Sequence, residues 1–566
     1  MAGVGGVGGV AGLSATATID PGPLGDFDRR GGGTTTQRRP SLRGVTAGIL
    51  RPMMRTAALL LTGAALLLGL AGCAGLPERP PPPPSTARMA PDDTPLGRLA
   101  DLHQVPAGRS GFRPLLQAAD AMLARLALIA EAQVGIDLQA YHLANDATGQ
   151  EILRALRDAA RRGVRVRLLI DDFHTVGMTD LLLGLAAEPA VELRLYNPFT
   201  AGRDSQVVRL GLMLGNFSQL NRRMHNKLFV ADGRAAVFGG RNLSDAYFMR
   251  DEGANFFDFD LLGVGQVATD LAESFDHYWN SVYAVPVQSL VDNGLDGPQR
   301  RTSFDTLTQV AAAAQARVTA ATQDATNDLT SLPLRVADAK VYFDSTEKTG
   351  GGVGSKGGGP PLPVGQLVRG ARERIVVVSP YFLPSEVGVK LLRDARRRGV
   401  DVQVLTSSLL DTDEPLVSLA YRRHRADYLR AGVRLFELSS DKYKDERRAR
   451  QSLGASVARL HAKLGLIDDH LLLVGSMNID PRSAHTNTEL ALVIDSAELV
   501  RTVQNHFKPT VSRVAHEVRL AADGQGLVWV NIDEQGVEQL HPERSLSTLR
   551  LLGLWLLSLL VSDDLL

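Results

Sequence analysis

Cysteine is almost missing from this chain. Cys73 is the only one in 566 residues, which excludes an intramolecular disulfide and a cysteine-ligated zinc site. An excess of either charge is missing too, since Lys plus Arg and Asp plus Glu both number 62. Nothing in that balance points to a surface built to neutralise a nucleic-acid backbone. Aromatic residues make up only 5% of the chain, which leaves little material for a base-stacking groove. The apolar runs Ala57–Ala71 and Leu551–Val561 both stop short of the ~20 residues that cross a bilayer as a helix. What the chain does have is length, enough for two domains or one large pseudo-symmetric body.

The lone cysteine ends a telling segment. From Met54 the chain runs through a basic residue, an apolar stretch and small residues to Cys73, so 53–72 reads as a secretory signal peptide. Leu70-Ala71-Gly72-Cys73 resembles a bacterial lipobox, which implies cleavage before Cys73 and lipidation of its thiol; an uncleaved anchor is the other reading, disfavoured by the shortness of the run. A lipid anchor implies the bacterial cell envelope, facing the periplasm, and Ala74 after the lipobox leans toward the outer membrane. Residues 1–52, rich in Gly and Thr and lacking apolar periodicity, lie upstream of a signal that should begin a protein, so Met53 or Met54 is the expected start. Residues 73–98, with the run Pro80 to Pro84, read as a semi-extended tether.

Beyond the tether the chain repeats itself. Val134-Gly-Ile-Asp-Leu-Gln-Ala-Tyr141 reads as a strand, Gly149 to Arg162 as a helix with Ile152, Leu153, Leu156, Ala159 and Ala160 at helical spacing, and Val164 to Ile170 as a second strand. The second copy is Arg374-Ile-Val-Val-Val-Ser-Pro-Tyr381, a helix from Glu386 to Arg398, and a strand from Val400 to Leu405. Strand, helix, strand units belong in an α/β sheet flanked by helices. The register continues without a gap: Gly163 to His225 and Gly399 to His461 are both separated by 62 residues. The expected halves are 99–290 and 366–515, joined by a connector over 291–365 that holds an Ala-rich helix (308–322) and a Gly-rich loop (350–359). A tail follows over 516–566, whose apolar end either packs on the body or dips into a lipid interface.

Each half carries the same constellation. Half one has His225-Asn-Lys227 with Asp232 and, after Gly239-Gly240-Arg241, Asn242; half two has His461-Ala-Lys463 with Asp468 and, after Gly475-Ser476-Met477, Asn478. On a strand, His and Lys two residues apart point the same way. A hairpin at Asp232-Gly233 or Asp468-Asp469 returns each Asn beside its His. Lys and Asn suit the non-bridging oxygens of a phosphodiester, a neutral imidazole suits attack on phosphorus, and a second imidazole from the other half suits protonation of the leaving alcohol. Asp232 and Asp468 have two readings, as turn formers or as part of the chemistry. Asp258 and Glu489 are candidates to orient the opposite half's histidine, with solvated surface acids as the alternative.

These paired motifs resemble the HKD signature of the phospholipase D superfamily across most of residues 99–515. Arg222-Arg-Met-His225, Gly475-Ser-Met-Asn478-Ile-Asp-Pro-Arg-Ser483, Asn487-Thr-Glu489 and Gly526-Leu-Val-Trp529 are similar to the bacterial cardiolipin synthase C group. The resemblance implies a phospholipase D fold of two pseudo-symmetric halves sharing one active site, with His225 as nucleophile and His461 as acid. It further implies transfer of phosphatidyl groups to phosphatidylglycerol, with phosphatidylethanolamine as an alternative donor and no metal or other cofactor. The partners are then phospholipids and a membrane, with no nucleic acid. Half one has Gly240 where half two has Ser476, so a hydroxyl contact to phosphate is expected on one side only. Hydrolysis to phosphatidic acid and nuclease activity are the alternatives within the superfamily, which the HKD residues do not separate.

Overall fold

A computed structural model of the chain describes residues 83–309, 333–351, 362–443, 457–524, 526–532, 538–543 and 546–558. The expected start, the signal segment and Cys73 lie outside the described residues, as do most of the Ala-rich helix, most of the Gly-rich loop and the last residues of the apolar tail.

Two mixed sheets carry the same strand order. In half one the neighbours run β1 (Ser110–Leu115), β8 (Asp260–Gly265), β6 (Ala235–Gly239), β5 (Leu228–Ala231), β2 (Gly135–Ala140), β3 (Arg165–Asp171), β4 (Val191–Tyr196) and β9 (Ala284–Pro286). In half two they run β10 (Arg335–Phe343), β17 (Leu490–Asp495), β16 (Leu471–Gly475), β15 (Leu464–Ile467), β11 (Arg374–Val378), β12 (Asp401–Ser407), β13 (Arg434–Leu438) and β18 (Ala515–Leu520), extended by β19 (Leu527–Ile532) and β20 (Glu538–His541). Strands β1 and β10 pair antiparallel and join the sheets edge to edge. A separate parallel pair, β7 (Ala254–Phe257) with β14 (Val457–Leu460), also links the halves.

Helix α1 (Ala118–Glu131) leads into β2, and α2 (Ala147–Arg161) connects β2 to β3. Helix α2 starts where the Asp146 carboxylate accepts from the Gly149 N–H and buries Ile152, Leu153, Leu156, Ala159 and Ala160 on the sheet. It stops before Gly163, whose φ of +98° suits only glycine. Helix α3 (Gln266–Trp279) follows β8, α4 (Val364–Gly370) leads into β11, and α5 (Glu386–Arg397) repeats the pattern of α2, with Ser385 as its cap and Gly399 past its end. Helix α6 (Ala497–Val514) follows β17, and α7 (Thr548–Ser558) closes the described chain. One core lies between the sheets, where Phe238, Leu261 and α3 meet Leu472, Leu492 and α6; separate cores cover the outer face of each sheet.

Two expectations change. The tether is not free along its length: the Ser85 carbonyl accepts from the buried Arg167, Ala87 N–H donates to Asp276, Ala90 N–H donates to the Asp232 carbonyl, and Ala90 and Leu96 are buried. The connector and tail are not outside the second half, because β10 falls in 291–365 and β18 to β20 span the start of the tail, and all pair into its sheet. Both strand-helix-strand units fall within a residue or two of their expected bounds, apart from β11, which ends at Val378, three residues before the expected Tyr381.

Asp232 and Asp468 hold this architecture and stand apart from the histidines. Both take left-handed φ at the hairpin turn, at 54° and 51°. The Asp232 carboxylate accepts from the backbone N–H of Gln133, Val134 and Gly135, and Asp468 does the same for Arg372, Glu373 and Arg374. Each therefore locks the entry of β2 or β11 at the far end of the HKD strand, roughly 20 Å along the chain from the histidine at ~3.3 Å per residue. Of the two readings of these residues, the contacts support the turn-forming one: the acceptor oxygens are committed to backbone donors, which is structural work rather than catalysis. Asp232→Ala leaves three N–H groups without their acceptor in a buried turn and is expected to cost about 3 kcal/mol in urea unfolding. Asp468→Ala, at a more open turn, should cost roughly half of that. Equal losses would contradict the burial argument.

Candidate active site

The two halves hold each other's histidines. His225 donates its backbone N–H to the Thr488 carbonyl of half two (2.9 Å), and His461 donates its own to the Phe257 carbonyl of half one (2.8 Å). The rings are crossed in the same way. His225 Nδ1 lies 3.0 and 3.1 Å from the two Glu489 oxygens, and His461 Nδ1 lies 2.6 Å from Asp258 Oδ2. A carboxylate can only accept, so each Nδ1 carries the hydrogen and each Nε2 keeps its lone pair. Tyr141 meets His225 edge to face with centroids 4.9 Å apart, and Tyr247 meets His461 likewise at 4.9 Å, so both imidazoles are fixed by a carboxylate and an aromatic ring.

Lys227 and Lys463 are buried beside the rings, and each Nζ donates to the carbonyl of its own histidine at 2.7 Å. That uses one of three N–H donors and leaves two for a ligand. Burial, reinforced by the charge of Lys463, pushes the Lys227 ammonium down to about 7, and burial lowers Lys463 as well. Burial likewise pushes His225 down to about 4 against the pull of Glu489, and takes His461 well below its ordinary value. Glu489 stays below the usual range, the upward push of burial being outweighed by His225 and by the Ser476 hydroxyl. Asp258 is raised by burial, with Lys463 pulling the other way. Two neutral imidazoles thus flank two ammonium groups that repel each other, an arrangement that an anion between them relieves.

Asn242 and Asn478 occupy matching places after β6 and β16, and each has a buried Oδ1 with no hydrogen-bond partner among the described residues. Turning either amide presents its NH₂ donors instead, which is the group a phosphate oxygen accepts from.

Ser476 does not point its hydroxyl hydrogen at a phosphate. It donates to Glu489 Oε2, and its Oγ accepts from the Leu490 N–H. Gly240 has the complementary reason: a Cβ there would collide with the Asp258 carboxylate. The one-sided hydroxyl contact to phosphate expected from the sequence is therefore corrected to a contact that positions Glu489.

Several supporting contacts lie outside the His, Lys and Asn of the repeated constellation. Asp171, at the end of β3, accepts from the Met224 N–H (2.9 Å) and pairs with the fully buried Arg223 (3.3 Å), which fixes the chain entering His225. Asp344 accepts from the Glu489 N–H and is itself held by Lys348. Arg482 donates to the Asn221 side chain across the halves at 2.8 Å. These links join distant segments, and no spacing rule reveals them. Among the described residues no group of three or more His, Cys, Asp or Glu side chains could hold a metal ion.

Comparison with known proteins gives a consistent picture. The family model described as cardiolipin synthase, PLD-like domain, matches residues 126–279 and 364–510. The chain is 35% identical over 436 residues to cardiolipin synthase C of Escherichia coli (strain K12), covering 75% of this chain and 89% of that protein. It is 30% identical over 503 residues to an uncharacterised protein of Helicobacter pylori (strain ATCC 700392 / 26695), covering 86% of this chain and 95% of that one. Among solved structures, phosphatidylserine synthase of Haemophilus influenzae Rd KW20 aligns with 75% of this chain and 91% of its own, at 16% identity and a TM-score of 0.49.

The depressed lysine makes anion binding depend on pH in a definite direction. The Lys227 charge is present below about 7 and lost above it, whereas sulfate does not titrate in that range. Calorimetry should show sulfate affinity falling severalfold between about pH 6 and about pH 8.5, with a proton taken up on binding at the upper end. Lys227→Met should bind weakly with a flatter profile. A wild-type affinity independent of pH would rule out the coupled lysine pair.

Proposed function

The chain belongs to the cardiolipin synthase, phospholipase D-like family, and from that premise we propose that it is a membrane-associated phosphatidyltransferase making cardiolipin through a phosphohistidine intermediate. The observation that carries the reading is the crossed pairing of His225 with Glu489 and of His461 with Asp258, around two buried lysines.

The steps follow from those contacts. His225 Nε2, with Nδ1–H donated to Glu489, attacks the phosphorus of a phosphatidyl donor. A P–N bond forms, the P–O bond to the departing headgroup breaks, and that alcohol oxygen takes a proton from His461. Asp258 and the negative charge of the bound phosphodiester favour the imidazolium that His461 needs for this step, against its burial. Lys227, Lys463, Asn242 and Asn478 hold the non-bridging oxygens as charge develops. In the second step a hydroxyl of phosphatidylglycerol gives its proton to His461 and attacks phosphorus, the P–N bond breaks, and His225 is restored. Phosphatidylethanolamine is an alternative donor. Water as acceptor would give phosphatidic acid by the same route.

Surface features support a lipid setting. Leu552, Trp555, Leu556 and Leu557 of α7 are exposed, and Leu549 reaches 82%. The helix Gln206–Gly215 also exposes Val207 and Leu210. Amphipathic segments of this kind seat a protein on a bilayer surface. No helix among the described residues is long and apolar enough to cross a membrane. We assign attachment to the lipidated Cys73, facing the periplasm.

The test is phospholipid analysis of membranes from a host lacking other cardiolipin synthases, expressing wild type, His225→Ala or His461→Ala. Cardiolipin is expected with the wild type only, each variant losing about a thousandfold in rate. Substantial activity in both variants would refute the shared site. Phosphatidic acid alone would make the protein a hydrolase, and no lipid product at all would refute the lipid reading.

A further inference from the structure

The two halves repeat in register, so a difference between equivalent positions is informative. In half one, Leu138, Phe229 and Val237 form one rung across β2, β5 and β6, and all three are buried. The same rung in half two is Val377, Gly465 and Leu473 across β11, β15 and β16. The phenyl ring of Phe229 has no counterpart there, and Val377 and Leu473 are only partly buried. Helix α1, of 14 residues, covers this face in half one, and the described helix leading into β11, α4, has 7.

The result is a half-open apolar groove on the outer face of the second sheet, with a cavity of about 100 Å³, against the ~10–15 Å³ a single water needs. Its walls include Leu367, Ile375, Val377, Ile467 and Leu473. Lys463 also lines it and stands on the same side of the strand as Gly465 and Ile467. From the Ile375–Ile467 rung to Lys463 the groove follows the strands for roughly 13 Å at ~3.3 Å per residue. An apolar groove lined in part by a lysine of the phosphate site matches one kind of molecule, an alkyl chain joined to a phosphate. We propose that this groove receives one acyl chain of the phospholipid substrate, so that the second half alone reads the lipid tail. The inference rests on the phosphatidyltransferase reading and deepens it.

Alkyl phosphates test it without turnover. Calorimetry on the full-length protein should show octyl phosphate binding at least about a hundredfold tighter than methyl phosphate, given the ~0.8 kcal/mol that each buried methylene contributes. Gly465→Phe, which restores the residue of half one, should cut that ratio about tenfold or more. A Cβ at Gly465 meets Leu473 Cβ at 3.2 Å, a tight fit, so Leu473→Ala serves as a second variant that widens the groove and should shift the preference toward longer alkyl phosphates. Equal affinity of the wild type for both ligands, or a preference unchanged in the folded variants, would overturn the groove assignment. Chain-length dependence without any phosphatidyl turnover would leave the groove standing and refute the function.

Discussion

Everything at the candidate site depends on putting two ammonium groups close together in a buried place. Burial lowers the affinity of both Lys227 and Lys463 for a proton, and the charge of Lys463 lowers that of Lys227 further. The fold tolerates this because Glu489 and Asp258 are buried at the same place and supply opposite charge. Each carboxylate is also the partner of a histidine that arrives from the other half. Neither half therefore contains a complete charge arrangement by itself. The strand pairing of β7 with β14 and the bridge between Met224 and Thr488 bring the two incomplete sets into register. Backbone hydrogen bonds from both histidines to the opposite half then fix the rings to within hydrogen-bonding tolerance. A diester phosphate between the lysines replaces repulsion with attraction, so the site is organised for an anion before one binds.

Local order explains what could be read from the sequence. The unbroken spacing from Gly163 to His225 and from Gly399 to His461 needs only counting, and it locates both strand-helix-strand units and both HKD strands. The hairpin reading also located Asp232 and Asp468 at turns, because a left-handed residue before a returning strand favours Asp or Asn. What stayed hidden was long-range. That β10 and β18 to β20 join the second sheet depends on hydrogen bonds between segments far apart in sequence. The same is true of Asp171 with Arg223, and of Ser85 with Arg167, which turns the end of an apparent tether into part of the first half. Prolines at 80–84 describe chain stiffness and say nothing about the docking of Ser85 to Leu96 just beyond them.

The departures from symmetry are concentrated around the site. Half one pairs the shorter acid, Asp258, with Gly240, whose missing side chain makes room for the carboxylate. Half two pairs the longer acid, Glu489, with Ser476, whose hydroxyl occupies one carboxylate oxygen. The two histidine environments differ accordingly. His461 has one close contact to a carboxyl that burial raises, and His225 has two longer contacts to a carboxyl held low. A firmly ionised Glu489 fixes the Nδ1–H tautomer of His225 and keeps Nε2 available for attack. A carboxyl closer to protonation beside His461 lets that pair give up and regain a proton more easily. The proposed division of labour between nucleophile and acid therefore draws on a difference between the two acids, although the histidines sit in equivalent strands.

The halves also differ on their apolar side. A duplicated fold with strictly equal halves would present the same surroundings to both faces of a phosphodiester, and donor and acceptor would be bound alike. Transfer between two lipids requires that one phosphate be attacked while the other molecule offers only a hydroxyl, so equal halves would be poorly suited to ordering the two. Having Gly465 where half one has Phe229 changes one rung and none of the paired histidines, lysines or asparagines. It adds an apolar surface beside Lys463 and leaves half one filled. Methylene burial is additive along a chain and independent of headgroup chemistry. Such a groove therefore orients a lipid by its tail and leaves the paired histidines and lysines free to act on whichever phosphate it delivers.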